Sequence, residues 1–250
     1  MARARPADEL HASMGDTVVP TGIGGHEALR LFTQVLVPAT RAQDNPMNLA
    51  FIPAAPTEAA LVFDLAVSAA EMFAGTWEAG AGAIVAENQA LAWLVGLLGW
   101  PETAGGCFVS GATMGNLSAL VAARERARRG RVDRPGAWRL AATADSHSSV
   151  RAAAKVMDCG ILDVPGDGRG RMTGDGLAAV LASGGGDGVF AVVASAGTTN
   201  AGVVDDLAGI ARVCREHGIW LHVDGAYGGA ALVAPSVADR VVGVEHADSF

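Results

Sequence analysis

The chain has 250 residues, half of them hydrophobic, with 33 glycines and a net charge of −8. That is enough apolar material for one large α/β domain or two small ones. The acidic balance argues against nucleic acid or an anionic membrane as partner. Aromatic residues make up only 5%, so glycine and alanine must provide close helix–sheet packing in place of large rings. Cys107, Cys159 and Cys214 lie far apart without a C-x-x-C pair, which reads as reduced thiols of a cytoplasmic protein, not as a disulfide frame or metal site. No apolar run approaches the ~18 residues of a membrane span, and no apolar core follows Arg3 and Arg5 as a signal peptide requires.

In chain order, residues 1 to 22 carry Pro6 and Pro20 and read as a loose arm. Gly25 to Ala42 has helical spacing, with Leu29, Phe32, Val35 and Leu36 on one face. Pro46 to Pro56 holds three prolines in eleven residues and reads as an extended loop. Thr57 is placed to cap a helix running to about Phe73. Leu61, Val62, Phe63, Leu65, Val67 and Met72 make it apolar on most sides, so it should be buried, a second subunit being one cover. Gly75 to Gly82 reads as a glycine-rich loop around Trp77. A helix from Ile84 to Leu98 should stop at Gly99 and Pro101.

From Gly105 the pattern becomes strand–loop–helix, repeated. Expected strands are Cys107–Val109, Trp138–Thr143, Ile161–Val164, Val189–Ala194 and Ile219–Val223. Expected helices are Leu117–Arg129, one after the Asp145–Ser149 loop to about Asp158, Thr173–Ser183 and Asp205–His217. Six arginines between Arg124 and Arg134 crowd one helix end, where cations suit the macrodipole. The alternation implies βαβ units and a largely parallel sheet covered on both faces.

Four loops follow these strands, and each offers a different chemical tool. Gly111, Ala112 and Thr113 begin a helix, where free N–H groups and a hydroxyl suit a phosphate or simply form a cap. His147 sits among hydroxyls, able to stack on a ring or transfer protons, or to serve structure alone. Thr198 and Thr199 end the strongest strand and are placed to donate to a ligand oxygen or to cap a turn. Asp224 ends the run W-L-H-V-D at Trp220 to Asp224, with small residues after it; it either caps the next turn or meets a cationic ring nitrogen. Parallel strands bring their carboxyl ends to one sheet edge, so these groups converge on a pocket suited to pyridoxal 5′-phosphate.

The wording of these loops resembles the pyridoxal-phosphate-dependent group II amino acid decarboxylases, which include the aromatic amino acid, glutamate and diaminobutyrate enzymes. The resemblance runs from about Asn45 to Phe250. It rests on N-P-M-N-L-A-F-I-P, A-G-T-W-E, S-G-A-T-x-x-N at Ser110 to Asn116, D-S-H-S-S-V at Asp145 to Val150, A-G-T-T-x-x-G at Ala196 to Gly202, W-L-H-V-D-G-A-Y-G-G, and V-E-H-A-D-S-F at Val244 to Phe250. It implies a fold-type-I large domain, a mixed and mostly parallel sheet flanked by helices. Residues 1–82 would form an N-terminal helical arm for dimerisation and 83–250 the cofactor-binding domain. It implies pyridoxal 5′-phosphate held by Gly111, Ala112 and Thr113, His147 stacked on the ring, Thr199 and Thr198 near the ring oxygen, Asp224 on the ring nitrogen and Ala226 against the ring. His147 and Asp224 would be catalytic, Phe51, Ile52 and Pro53 would line a substrate pocket, and no metal would take part. The implied protein is a homodimer that removes CO₂ from an L-amino acid, without nucleic acid or membrane partners.

One departure stands out. The family's Schiff-base lysine belongs to an N-P-H-K-W motif about six residues after A-D-S-F. This sequence stops at Phe250, and its one lysine, Lys155, falls on a helix with no reason to face the pocket. The expectation is the N-terminal part of a decarboxylase, lacking the small C-terminal domain and inactive alone. Another reaction on the same fold, an aminotransferase or aldolase, and a non-catalytic fragment are the alternatives.

Overall fold

A computed structural model of the protein describes residues 5–41, 45, 55–130 and 136–250. The chain divides into two compact units, Met1–Glu71 and Met72–Phe250.

In the first unit, α1 (Ala7–Met14) falls within the stretch read as a loose arm. Pro6 precedes it and Asp8 and Glu9 occupy its first turn, where carboxylates favour a helix start. The next helix, α2 (Gly25–Leu31), continues through a π-helical turn, Phe32–Leu36, into Val37–Ala39. Its buried residues are Leu31 and Val35; the expected face partners Leu29, Phe32 and Leu36 are exposed. The wider π turn, against which α1 lies, resets which side chains share a face. Thr57 does cap α3 (Glu58–Ala70), its Oγ1 accepting from the Ala60 N–H at 3.2 Å. No residue of α3 is buried, so the described residues do not provide the expected cover. The proline-rich loop, Phe51, Ile52 and Pro53 lie outside the described residues.

In the second unit, α4 (Trp77–Leu97) occupies most of the stretch read as a glycine-rich loop. Gly80 departs from helical angles (φ −132°, ψ 21°), and a Cβ there would run into the Phe73 carbonyl. Close approach, not a loop, uses that glycine. Cys107–Val109 forms no strand; the Phe108 N–H donates to Glu87 Oε1 of α4 at 2.6 Å instead of to a neighbouring strand. The helix α5 (Ala112–Arg129) starts five residues earlier than periodicity suggested, inside the small-residue loop itself. Arg126, Arg128 and Arg129 fill its last turn.

Then β1 (Arg139–Ala142), α6 (Ser148–Val156), β2 (Gly160–Asp163), α7 (Gly174–Val180), β3 (Val189–Ser195), α8 (Leu207–His217) and β4 (Trp220–Asp224) alternate as expected. The four strands are parallel, in the order β2-β1-β3-β4. Asp248 and Ser249 run along the other edge of β4, with the Val223 N–H donating to Ser249 O and Asp248 N–H to Leu221 O.

All seven residues of β3 are buried, as in a parallel strand covered on both faces. One face packs Met172, Leu177, Leu207, Ile210 and Val213 from the α7 and α8 side against Val192, Leu221 and Val223. The other packs Leu120 and Ala123 of α5 and Val150 and Ala153 of α6 against Leu140, Phe190 and Val193. A register shift between Arg139 and Leu140 skips Phe190, so Phe190 and Ala191 both join the α5–α6 cluster. The helix after β1 therefore covers one face and the helices after β2 and β3 the other. The order reverses between β1 and β3, and ligands of open α/β sheets bind outside the carboxyl ends of strands at such a point.

Candidate active site

Period-two alternation places Trp220, His222 and Asp224 on one face of β4, opposite Leu221 and Val223. That face is the one covered by α5. Along α5, Asn116, Leu120 and Ala123 are the buried positions, at helical spacing. Asn116 is thus the polar head of an otherwise apolar stripe, and it meets the polar end of β4.

The contacts are specific. Asn116 Nδ2 donates to Asp224 Oδ2 at 2.9 Å and to Ser149 Oγ at 2.9 Å. Asn116 Oδ1 lies 3.0 Å from His222 Nε2. His222 Nδ1 lies 2.9 Å from Ser249 Oγ, which also accepts from Trp220 Nε1 at 2.8 Å. His222 is almost wholly buried, which pushes its imidazole down to about 4 despite the pull of Asp224, so the ring is neutral at physiological pH. Asp224 is half-buried and lies beside Ser195 across the sheet. Its Oδ1 accepts from the Ala226 N–H at 3.1 Å. Of the two readings of Asp224, the turn cap accounts for one oxygen only. A carboxylate offers about four acceptor positions, and these bonds use two.

His147 is the N-cap of α6: its Nδ1 accepts from the Ser149 N–H at 3.2 Å and lies 2.8 Å from Ser149 Oγ. It is joined through Ser149 to Asn116 and so to Asp224. Gly111 is the N-cap of α5, with φ 145°, and no side chain caps the helix there. Met114 and Gly115 donate to the Gly111 carbonyl. The Ala112 and Thr113 N–H groups precede the first intrahelical donor, on exposed residues. They lie about one turn, some 6 Å of axial rise, from Asn116. The start of α5 and Asp224 therefore share one sheet edge.

Thr198 is buried and closes its own loop: Oγ1 accepts from the Val203 N–H at 3.1 Å and its carbonyl from the Gly202 N–H at 2.8 Å. Its capping role is the one the structure displays, and Thr199 is exposed beside it. Gly197 has φ 98°, and a Cβ there would come within 2.8 Å of the Tyr227 ring, so Tyr227 holds this loop against the turn after Asp224. Ala226 is exposed and contributes its N–H to Asp224. Lys155 is exposed in the last turn of α6, at the far end of that helix from His147. Asn116, Ser149, His222 and Ser249 carried no role in the sequence reading. Each stands in a quoted motif, but only side-chain contacts reveal that they form one network.

A cleft of about 590 Å³ lies elsewhere, lined by Arg169, Arg171, Asp205, Asp239 and Arg240. It contains none of Asn116, His147, Ser149, His222 and Asp224, so convergent chemistry marks the candidate site.

A parallel sheet carrying an open helix start, an imidazole and a carboxylate at its carboxyl edge is the arrangement at which open α/β sheets bind ligands. The family model described as "Pyridoxal-dependent decarboxylase conserved domain" matches residues 27–250, and the chain belongs to that family. It is similar to an aromatic-L-amino-acid decarboxylase of Bacillus atrophaeus, 31% identical over 249 residues, covering 98% of this chain and 51% of that protein. An L-2,4-diaminobutyrate decarboxylase of Rhizobium meliloti (strain 1021) is 31% identical over 196 residues, covering 76% of this chain and 39% of the relative. Among solved structures, an Oryza sativa TDC with PLP and tryptamine has a TM-score of 0.88 at 26% identity, covering 98% of this chain and 54% of that one. The glutamate decarboxylase domain of a Vibrio parahaemolyticus protein has a TM-score of 0.89 at 25% identity, with 98% and 56% covered. The chain spans about half the length of these relatives. No described helix is long and apolar enough to cross a membrane.

Proposed function

We propose that this chain forms the cofactor-binding part of a pyridoxal-phosphate-dependent decarboxylase acting on an L-amino acid, in a cytoplasmic homodimer. The observation that carries the reading is the meeting of Asn116, His147 and Asp224 one helical turn from the open start of α5.

The donor set fits the group. Ala112 and Thr113, with Gly111 as the N-cap, present N–H groups and the positive end of an 18-residue helix to a phosphate. Asp224 retains acceptor capacity for a protonated ring nitrogen, and Ala226 beside it leaves room for a flat ring. His147 supplies an imidazole for the ring face, with Thr198 and Thr199 at the end of β3. When bound, the cofactor supplies an electron sink for the pair left on Cα as CO₂ departs. Asp224 holds the proton on the ring nitrogen, and Asn116 holds Asp224. Phe51, Ile52 and Pro53 are proposed to line the substrate side, and their apolar character favours an apolar or aromatic side chain. The exposed apolar face of α3 is of a kind that a second copy would cover.

Titration of the chain with pyridoxal 5′-phosphate, followed by cofactor absorption and by competition with inorganic phosphate, tests the site. Saturable binding that Asp224→Ala and Thr113→Ala weaken supports it; binding indifferent to both overturns it. Assay of CO₂ release against amino-group transfer then separates decarboxylation from other chemistry on the fold.

A further inference from the structure

The network around Asp224 has a direction, and its Asp224 end sets it. Trp220 Nε1 only donates and the Asp224 carboxylate only accepts. Because Asp224 accepts, the amide nitrogen of Asn116 must face it, which turns Oδ1 toward His222. His222 must then carry its proton on Nε2, leaving Nδ1 as an acceptor. Ser249 must donate its hydroxyl proton to that Nδ1, which leaves its oxygen free to accept from Trp220. Every group on the path has one orientation consistent with its neighbours. The neutral state of the buried His222 is the state this path requires.

Asn116 is also a branch point. The second amide hydrogen goes to Ser149 Oγ, whose hydroxyl proton is then available to His147 Nδ1. The Ser149 N–H reaches the same nitrogen, so in the neutral ring the proton of His147 sits on Nε2. One carboxamide thereby sets the orientation of both polar side chains assigned to the cofactor ring.

We propose that Asn116 is the positioning residue of this site, its amide oriented by Asp224 at the end of a one-way hydrogen-bond path from Trp220 through Ser249 and His222, and that it fixes Asp224 and His147 together. The proposal rests on the cofactor reading above, but it also has a signature that needs no cofactor. Ser249, which contacts neither Asp224 nor His147 in the described network, closes only the far end of the path: its loss takes the donor from His222 Nδ1 but leaves the amide oriented by Asp224. Removing Asp224 takes away the group that orients the amide and frees the tautomer of His222.

The experiment uses the chain with ¹⁵N-labelled histidine, first without cofactor and then with pyridoxal 5′-phosphate labelled at the ring nitrogen. Without cofactor, the wild type and Ser249→Ala should show His222 as a single Nε2–H tautomer, and Asp224→Ala should show a mixture. With cofactor, Asn116→Asp should weaken binding about tenfold and move the ring-nitrogen signal toward the unprotonated value, while keeping the wild-type circular dichroism. A wild-type His222 protonated on Nδ1 overturns the proposal whatever the cofactor does. So does an Asn116→Asp variant with wild-type affinity and ring-nitrogen signal when Asp224→Ala has lost both. If Asp224→Ala also binds like the wild type, the cofactor reading fails, and the tautomer measurement alone decides the path.

Discussion

Two aspartates mark the carboxyl edge of the sheet, and they are built for different work. Asp205 is almost completely buried, with Oδ1 accepting from the Met172 N–H and Oδ2 from the Ser195 N–H, both at 2.7 Å. Burial pushes it up to about 6, against the pull of those two bonds. It clamps the start of α8 to the end of β3 and to the segment after β2. Asp224, beside Ser195 in the register, takes one bond from a side chain and one from its own turn and remains half-open. A carboxylate whose oxygens are both held by buried backbone groups serves the fold. One held by a single side-chain amide and left partly open can serve a ligand.

The contrast breaks first under truncation. Asp205→Ala strands two buried N–H groups, each costing about 1–3 kcal/mol, so unfolding by denaturant should show a loss of roughly 3 kcal/mol or more. Asp224→Ala should cost only about 1 kcal/mol of stability while losing cofactor binding. Equal stability losses in the two variants would erase the distinction.

The pH dependence sharpens it. The folded value of Asp205, about 6, lies above its ordinary 3.8, so its contribution is fully present below 3.8 and is lost as pH rises to about 6. The folded value of His222, about 4, lies below its ordinary 6.5, so its contribution is fully present above 6.5 and is lost as pH falls to about 4. Each shift is worth about 3 kcal/mol, and between pH 4 and 6 they oppose each other. Stability of the wild type should be nearly level across that window. Asp205→Asn should make it rise with pH, and His222→Gln should make it fall. Matching slopes in both variants would show that neither group titrates as its surroundings dictate.

A smaller effect is expected at Gly197, where a side chain meets φ 98° and the Tyr227 ring; Gly197→Ala should cost about 1–3 kcal/mol and loosen the Thr198 loop, seen as faster amide exchange at Val203. The smallest is at Thr173, whose Oγ1 caps α7 by accepting from the Gly176 N–H at 3.1 Å. Thr173→Ala should cost about 1 kcal/mol by thermal unfolding and leave the Asp224 network untouched.

Much of the fold was legible beforehand because buried parallel strands announce themselves. Val189–Ala194 is an uninterrupted apolar run, and its neighbours alternate with helices at regular spacing. Helix starts were less legible: Trp77–Leu97 and Ala112–Arg129 begin among glycines and small residues that locally read as loop. Cys107–Val109 has strand-like letters but no strand beside it. For the site, Asp224, His147 and the start of α5 were visible as chemical groups at strand or helix ends. Asn116 was not, since a lone amide four residues before Leu120 carries no signal until its partners are known.

The amino-acid sequence by itself determined the alternation of strand and helix, and with it a parallel sheet whose polar loops gather at one edge, because apolar period and turn residues are local properties. Only the tertiary structure decided which of two aspartates is closed and which open, and that one amide joins His147 to Asp224. Those outcomes depend on hydrogen-bond partners up to 108 residues apart, and burial sets the protonation of Asp205 and His222 only after the chain has packed.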